Sequence, residues 1–255
     1  MPQLDFLTWL MVFARLSGLL AVFPLFSMAN VPVRVRIGLG ALMAFLLSPA
    51  VVPVKSPPAS LMGWIGLMAA EIGVGLLLGY VCRLLFYILE FAGSVVATET
   101  GLNLAAAFSS LSSARSDAPG LMLFNLGMVL FMACDLHHWL LVALHRIYQW
   151  VPIGGVRLQE PLLTELVERV GQVFLVGLLM AAPVLAVVFL INLLFAVLGR
   201  AVPQMNVFAE SLSFRIVGGM AVFGLSLHLV AQHVLNYLRR LPEDLMRVAQ
   251  LLGGS

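Results

Sequence analysis

Long apolar runs separated by short polar ones set the plan of this chain. The first covers residues 4–29 and is followed by Pro32, Arg34 and Arg36. A shorter run, 37–54, contains Pro49 and Pro53, and Lys55-Ser56-Pro57-Pro58 after it reads as a loop because proline cannot continue a backbone hydrogen-bond ladder. Runs 61–89 and 91–108 are nearly continuous, then 109–120 is small, polar and turn-rich. Apolar sequence resumes at 121–151, with Asp135-Leu136-His137-His138 in its middle. A connector over 152–169 carries Glu160, Glu165, Glu168 and Arg169 and predicts a short amphipathic helix. Runs 173–198 and 216–238 flank a loop at 199–215, and the tail 239–255 is charged and then amphipathic. Period-two alternation is absent, which excludes a β-barrel. The expected fold is all-α: a polytopic helical membrane protein of long, broken helices, forming one membrane domain over residues 1–255.

Composition sharpens this. Of 255 residues 62% are hydrophobic and 10% charged, against ~25% charged in an ordinary soluble domain. Such a chain cannot cover a water-facing surface, so lipid or protein must solvate it. A span needs ~20 apolar residues, and the runs meet that length. Residues 1–14 carry Asp5 but no basic segment, so the first run is expected to stay as a membrane helix rather than act as a cleaved signal. Lys55 is the single lysine, and the arginines are scattered or paired. Nothing tracks a phosphate backbone, which argues against nucleic acid as a partner. Cys82 and Cys134 are isolated in apolar runs and read as small core residues. Arg200 and Arg215 lie at one end of the last apolar run, Arg239 and Arg240 at the other. The positive-inside rule therefore gives conflicting orientations, and two readings stay open: one arginine pair snorkels or the bias is weak, or this helix is seated against partner protein.

Charged residues inside apolar runs carry the remaining information. Arg15, Glu71, Arg83, Glu90, Glu99 and Asp135 would each cost ~2.5–3.5 kcal/mol in lipid, so they are expected to face protein or water. Glu71, Gly75 and Gly79 recur every four residues and share one helix stripe. Gly93, Ala97 and Gly101 repeat the spacing, with Glu90 just before. Small residues so spaced let helices approach closely, so these seven positions are candidates for helix packing or a subunit interface. His137 and His138 are adjacent, diverge by ~100° on a helix, and belong to no HExxH pattern. The expectation is a hydrogen-bonding role and no metal, catalytic or cofactor site. The serines of 109–116 have no positioned base or GxSxG turn, so hydrolase chemistry is unsupported.

The segment Gly199-Arg-Ala-Val-Pro-Gln-Met-Asn-Val-Phe-Ala-Glu-Ser-Leu-Ser-Phe-Arg215 resembles the signature of the FliR/SctT family of type III export-gate proteins. Arg200, Ala201, Pro203, Gln204, Asn206, Val207, Phe208 and Arg215 match, while Ser211 and Ser213 stand where the family often has Gly and Pro. Other blocks agree in order. They are Arg15, Gly18, Pro24, Pro32 and Arg36; Glu71-Ile-Gly-Val-Gly75 with Gly79; Gly101-Leu-Asn103 with Ala105; and Phe131 with Asp135, His137, His138 and Val151-Pro-Ile-Gly154. The resemblance covers residues ~10–240.

That resemblance implies a subunit of the flagellar export gate that is not itself an enzyme. It implies FliP-like and FliQ-like partners, FlhB-like and FlhA-like components, unfolded export substrates as cargo, and a place in the bacterial inner membrane at the flagellar basal body. Residues 1–170 would be a FliP-like part, 171–240 a FliQ-like helical hairpin, and 241–255 an amphipathic tail. Residues 106–113 (Ala106, Ala107, Phe108, Ser109, Ser110, Leu111, Ser112, Ser113) would form a channel plug, since irregular backbone at membrane depth needs protein or water around it. The loop bearing Arg200, Pro203, Gln204, Asn206, Phe208 and Arg215 would face the cytoplasm. Two alternatives stay open: a virulence-system counterpart, and a secondary transporter or small-molecule channel subunit.

Overall fold

In a computed structural model the described residues are 5–27, 31–53, 58, 60–104, 117–157 and 159–254. Among them regular structure is helical, with no strand. Helix α1 (Phe6–Val22) starts at Asp5, whose carboxylate accepts from the Leu7 amide at 3.3 Å and the Thr8 hydroxyl at 2.9 Å, satisfying donors that have no partner within the helix. It stops at Phe23, which is extended (φ −60, ψ 128), because the following Pro24 disfavours a helical residue before it. The predicted first run is thus two helices, α1 and the short α2 (Pro24–Ser27). Helix α3 (Val33–Leu47) runs into a 3-10 turn, Ser48–Ala50, at Pro49.

The two runs predicted over 61–108 are joined as one helix, α4 (Leu61–Thr100), which ends on Gly101 at φ +84, the left-handed residue that commonly closes a helix. Helix α5 (Ala118–Ala133) has Pro119 in its first turn, where a missing N–H costs nothing. The predicted run 121–151 is broken at Cys134 and Asp135, and α6 (Leu136–Trp150) follows.

Three boundaries differ from the sequence expectation. The connector helix does not stand alone but opens α7 (Glu160–Ala201), and the tail does not separate but completes α8 (Val207–Gly253). Pro183 and Pro242 lie inside these helices without ending them. The loop expected over 199–215 shrinks to 202–206. At 40, 42 and 47 residues and ~1.5 Å per residue, α4, α7 and α8 are about twice as long as a hydrocarbon core is thick. Among the described residues four helical segments are long and apolar enough to cross a membrane, or five if α5 and α6 form one broken span.

Two compact units divide the chain: residues 1–85, 132–169 and 238–255, and residues 86–131 and 170–237. In the first, α1 packs on α3 and Met11, Val12, Leu16, Leu78, Ile147, Leu245 and Val248 are buried. In the second, Phe86, Leu89 and Ala97 of α4, Leu123 and Phe131 of α5, Ala181 and Val184 of α7 and Val234 of α8 are buried.

Candidate functional site

The glycine stripe of α4 lies where α1 crosses it. A Cβ added at Gly75 would overlap the Arg15 carbonyl oxygen. One at Gly79 would lie 2.7 Å from the Leu19 oxygen, and one at Gly18 would lie 2.6 Å from the Ile72 oxygen. Both helices therefore bring glycine to the crossing, and backbone meets backbone.

Close approach places a charge pair inside the seam. Arg15 and Glu71 are 1% and 0% exposed, and Arg15 Nε donates to Glu71 Oε2 at 2.7 Å. The turn after α6 completes the shell: Arg15 Nη1 donates to the Val151 carbonyl at 3.0 Å, and the Gly154 amide donates to Glu71 Oε1 at 3.0 Å. Gly154 has φ +75, a conformation glycine adopts without a Cβ penalty. The Arg15 guanidinium carbon lies 4.3 Å from the centre of the Tyr148 ring, a cation–π distance. Arg15, Glu71 and the Val151-Pro-Ile-Gly154 turn are separate blocks in sequence and one cluster in space. Arg15 Nη2 and the Tyr148 hydroxyl are buried without a hydrogen-bond partner.

In the second unit a Cβ at Gly93 would overlap the Gly120 backbone of α5. Ala97 is fully buried and Glu90 is half-buried. Gly101 faces the Leu212 side chain. Gly120 is fixed from outside its helix, since its amide donates to Asp117 Oδ1 at 3.1 Å.

Around Arg200 and Asn206 the chain is polar and open. Arg200, Pro203, Gln204, Asn206 and Phe208 are exposed and Arg215 is half-buried. Asn206 Oδ1 accepts from the Ala209 amide at 3.3 Å, the capping contact that starts α8. The candidate plug, residues 106–113, lies outside the described residues.

A second ionic cluster escaped sequence reasoning. Glu165 accepts from Arg169 at 2.7 Å and from Arg247 at 3.0 Å, and Arg169 also reaches Asp244 at 3.0 Å. The pair Glu165–Arg169 has helical spacing, but its partners stand some eighty residues away, a separation no local pattern reveals. Asp135, His137 and His138 also converge: one ligand atom from each lies within 4.8 Å of the others. Adjacent histidines diverge in their Cα–Cβ directions on a helix, but side-chain torsions bring the two rings to a centroid separation of 4.1 Å.

Apolar surface remains abundant. On α7 Leu175, Leu179, Phe189 and Val197, and on α8 Val217 and Leu225, are more than 60% exposed. Buried charges within and exposed apolar side chains without describe a body whose surroundings are lipid or other protein chains.

Against known proteins, the family model described as bacterial export proteins, family 1, matches residues 6–241. The flagellar biosynthetic protein FliR of Caulobacter vibrioides is 30% identical over 222 residues, 87% of this chain and 88% of that protein. FliR of Escherichia coli is 24% identical over 255 residues, covering 97% of each, and FliR of Bacillus subtilis is 25% identical over 255 residues, covering 98% and 97%. A match that takes in the Arg15–Glu71 seam, the Asp135-Leu-His-His break and the Asn206 cap in a single alignment of nearly the whole chain places this protein in the family of bacterial export proteins, family 1, alongside the flagellar FliR proteins.

Proposed function

We propose that this chain is a subunit of the flagellar type III protein export apparatus in the bacterial inner membrane. With FliP-like and FliQ-like subunits it forms the gate through which unfolded export substrates pass. The family match over residues 6–241 carries the reading, and the relatives reported above are flagellar. The exposed apolar faces of α7 and α8 offer surface for neighbouring subunits. Residues 1–170 act as the FliP-like part and 171–240 as the FliQ-like hairpin. FlhB-like and FlhA-like components adjoin the gate at the basal body, and the energy for transport comes from the proton-motive force and a separate ATPase rather than from catalysis by this chain. Residues 106–113 close the channel at rest, and the loop around Pro203 faces the cytoplasm.

Affinity purification of the tagged chain from native membranes, followed by mass spectrometry, tests the assignment. FliP-like and FliQ-like subunits should co-purify, and deletion of the gene should abolish flagellar assembly. A monodisperse chain that binds a small solute, with motility intact in the deletion strain, would instead identify a transporter subunit.

A further inference from the structure

We infer that Asp135, His137 and His138 form a binding site for a divalent first-row transition metal at the break between α5 and α6. Three observations converge there.

The first is the backbone. Asp135 is the one non-glycine residue at positive φ among the described residues (φ 54, ψ 25). A left-handed aspartate costs about 1–2 kcal/mol and persists where its surroundings demand it. Asp135 holds the N-cap position of α6, yet its carboxylate caps no amide. The His138 amide donates to the Asp135 backbone carbonyl instead, at 3.0 Å. That leaves the carboxylate free to face the imidazole.

The second is the spacing of ligand atoms. Asp135 Oδ1 and His138 Nδ1 are 3.6 Å apart. Two bonds of ~2.1 Å to one ion at a tetrahedral angle separate their donor atoms by ~3.4 Å. His137 completes the set, with all three ligand atoms within 4.8 Å of one another, so small side-chain rotations close the site.

The third is an unfilled lone pair or N–H. His137 Nδ1 is buried and has no hydrogen-bond partner, a situation that burial penalises. Two imidazoles and one carboxylate are borderline ligands that favour zinc, cobalt, nickel or copper over calcium or magnesium. Asp135 and His138 are well exposed, so the ion has a path from solvent and open coordination positions for water. Bound there, it would cross-link Asp135, before α6, to the first turn of that helix and fix the break.

The full-length chain, purified from membranes in detergent and stripped with chelator, should be titrated with Zn(II) alone and then with Co(II). Expected are about one Zn(II) per chain by elemental analysis and a visible Co(II) spectrum of nitrogen–oxygen coordination. Asp135→Asn and His138→Ala should each weaken binding by at least about tenfold. His137→Ala should abolish the Co(II) bands, and His145→Ala, outside the cluster, should change neither readout. Asp135→Gly guards against misfolding: it keeps the left-handed backbone without strain, so the variant should be as thermally stable as the parent and still bind weakly. Absence of stoichiometric Zn(II), or binding unaltered in Asp135→Gly and His138→Ala, would overturn the site.

Discussion

Arg15 and Glu71 meet at 2.7 Å with both side chains excluded from solvent, where the glycines of α1 and α4 let two backbones touch. Each partner alone would be an uncompensated buried charge. Arg15→Met or Glu71→Leu should therefore destabilise the folded chain by roughly 3–5 kcal/mol, while the double variant should recover much of that loss. Thermal unfolding of the four proteins in one detergent gives the cycle. A loss in the double variant equal to the sum of the two single losses would mean that the pair is not coupled.

The glycine seam makes a positional prediction. Gly75→Ala places a methyl group on the Arg15 carbonyl and should cost more than 1 kcal/mol through overpacking. Gly73→Ala, where a Cβ meets nothing within 4 Å, should be neutral or slightly stabilising. Gly93→Leu, aimed at the Gly120 backbone, should insert into the membrane but reduce recovery of the assembled gate. Comparable thermal stability and yield in all three would remove the seam from the account.

Sidedness follows from the 202–206 turn. Cysteines placed at the exposed Val202 and Glu210 should react with an impermeant thiol reagent in inverted membrane vesicles and not in intact spheroplasts. The reverse pattern would turn the hairpin over and remove the cytoplasmic assignment.

Deletion of residues 106–113 in an assembled complex should raise passive ion leak, measured as faster collapse of an imposed potential, and leave subunit composition unchanged. An unchanged leak in an intact complex would assign the seal to another segment.

Much of this was legible in the sequence, for definable reasons. Four-residue spacing put Glu71, Gly75 and Gly79 on one stripe because helical periodicity is local. Apolar length marked the helices because a membrane span has a fixed requirement. The helix ends were less legible. The connector 152–169 reads as a separate short amphipathic helix and 239–255 as a separate tail, yet ion pairs among Glu165, Arg169, Asp244 and Arg247 accompany charged segments that continue within the long helices. Pro242 lies inside α8 without ending it, so a proline alone did not mark that boundary. That Glu71 would choose Arg15 among several arginines depended on the crossing of α1 and α4, which no window of sequence contains.

The final turns of α8 belong to the unit that begins with α1. The Arg157 amide donates to the Leu252 carbonyl at 2.9 Å, and Leu245, Val248, Ala249 and Leu252 are almost wholly buried. Synthesis therefore runs against the geometry. Chains emerge N-terminus first, so α1 waits through translation of more than two hundred residues for a part of its own core. The unit built from residues 86–131 and 170–237 has all its material earlier. A nascent chain thus passes through a stage in which its later-starting unit can close while its earlier one is unfinished, and in that interval a chaperone or an incoming partner subunit has open surface to grasp.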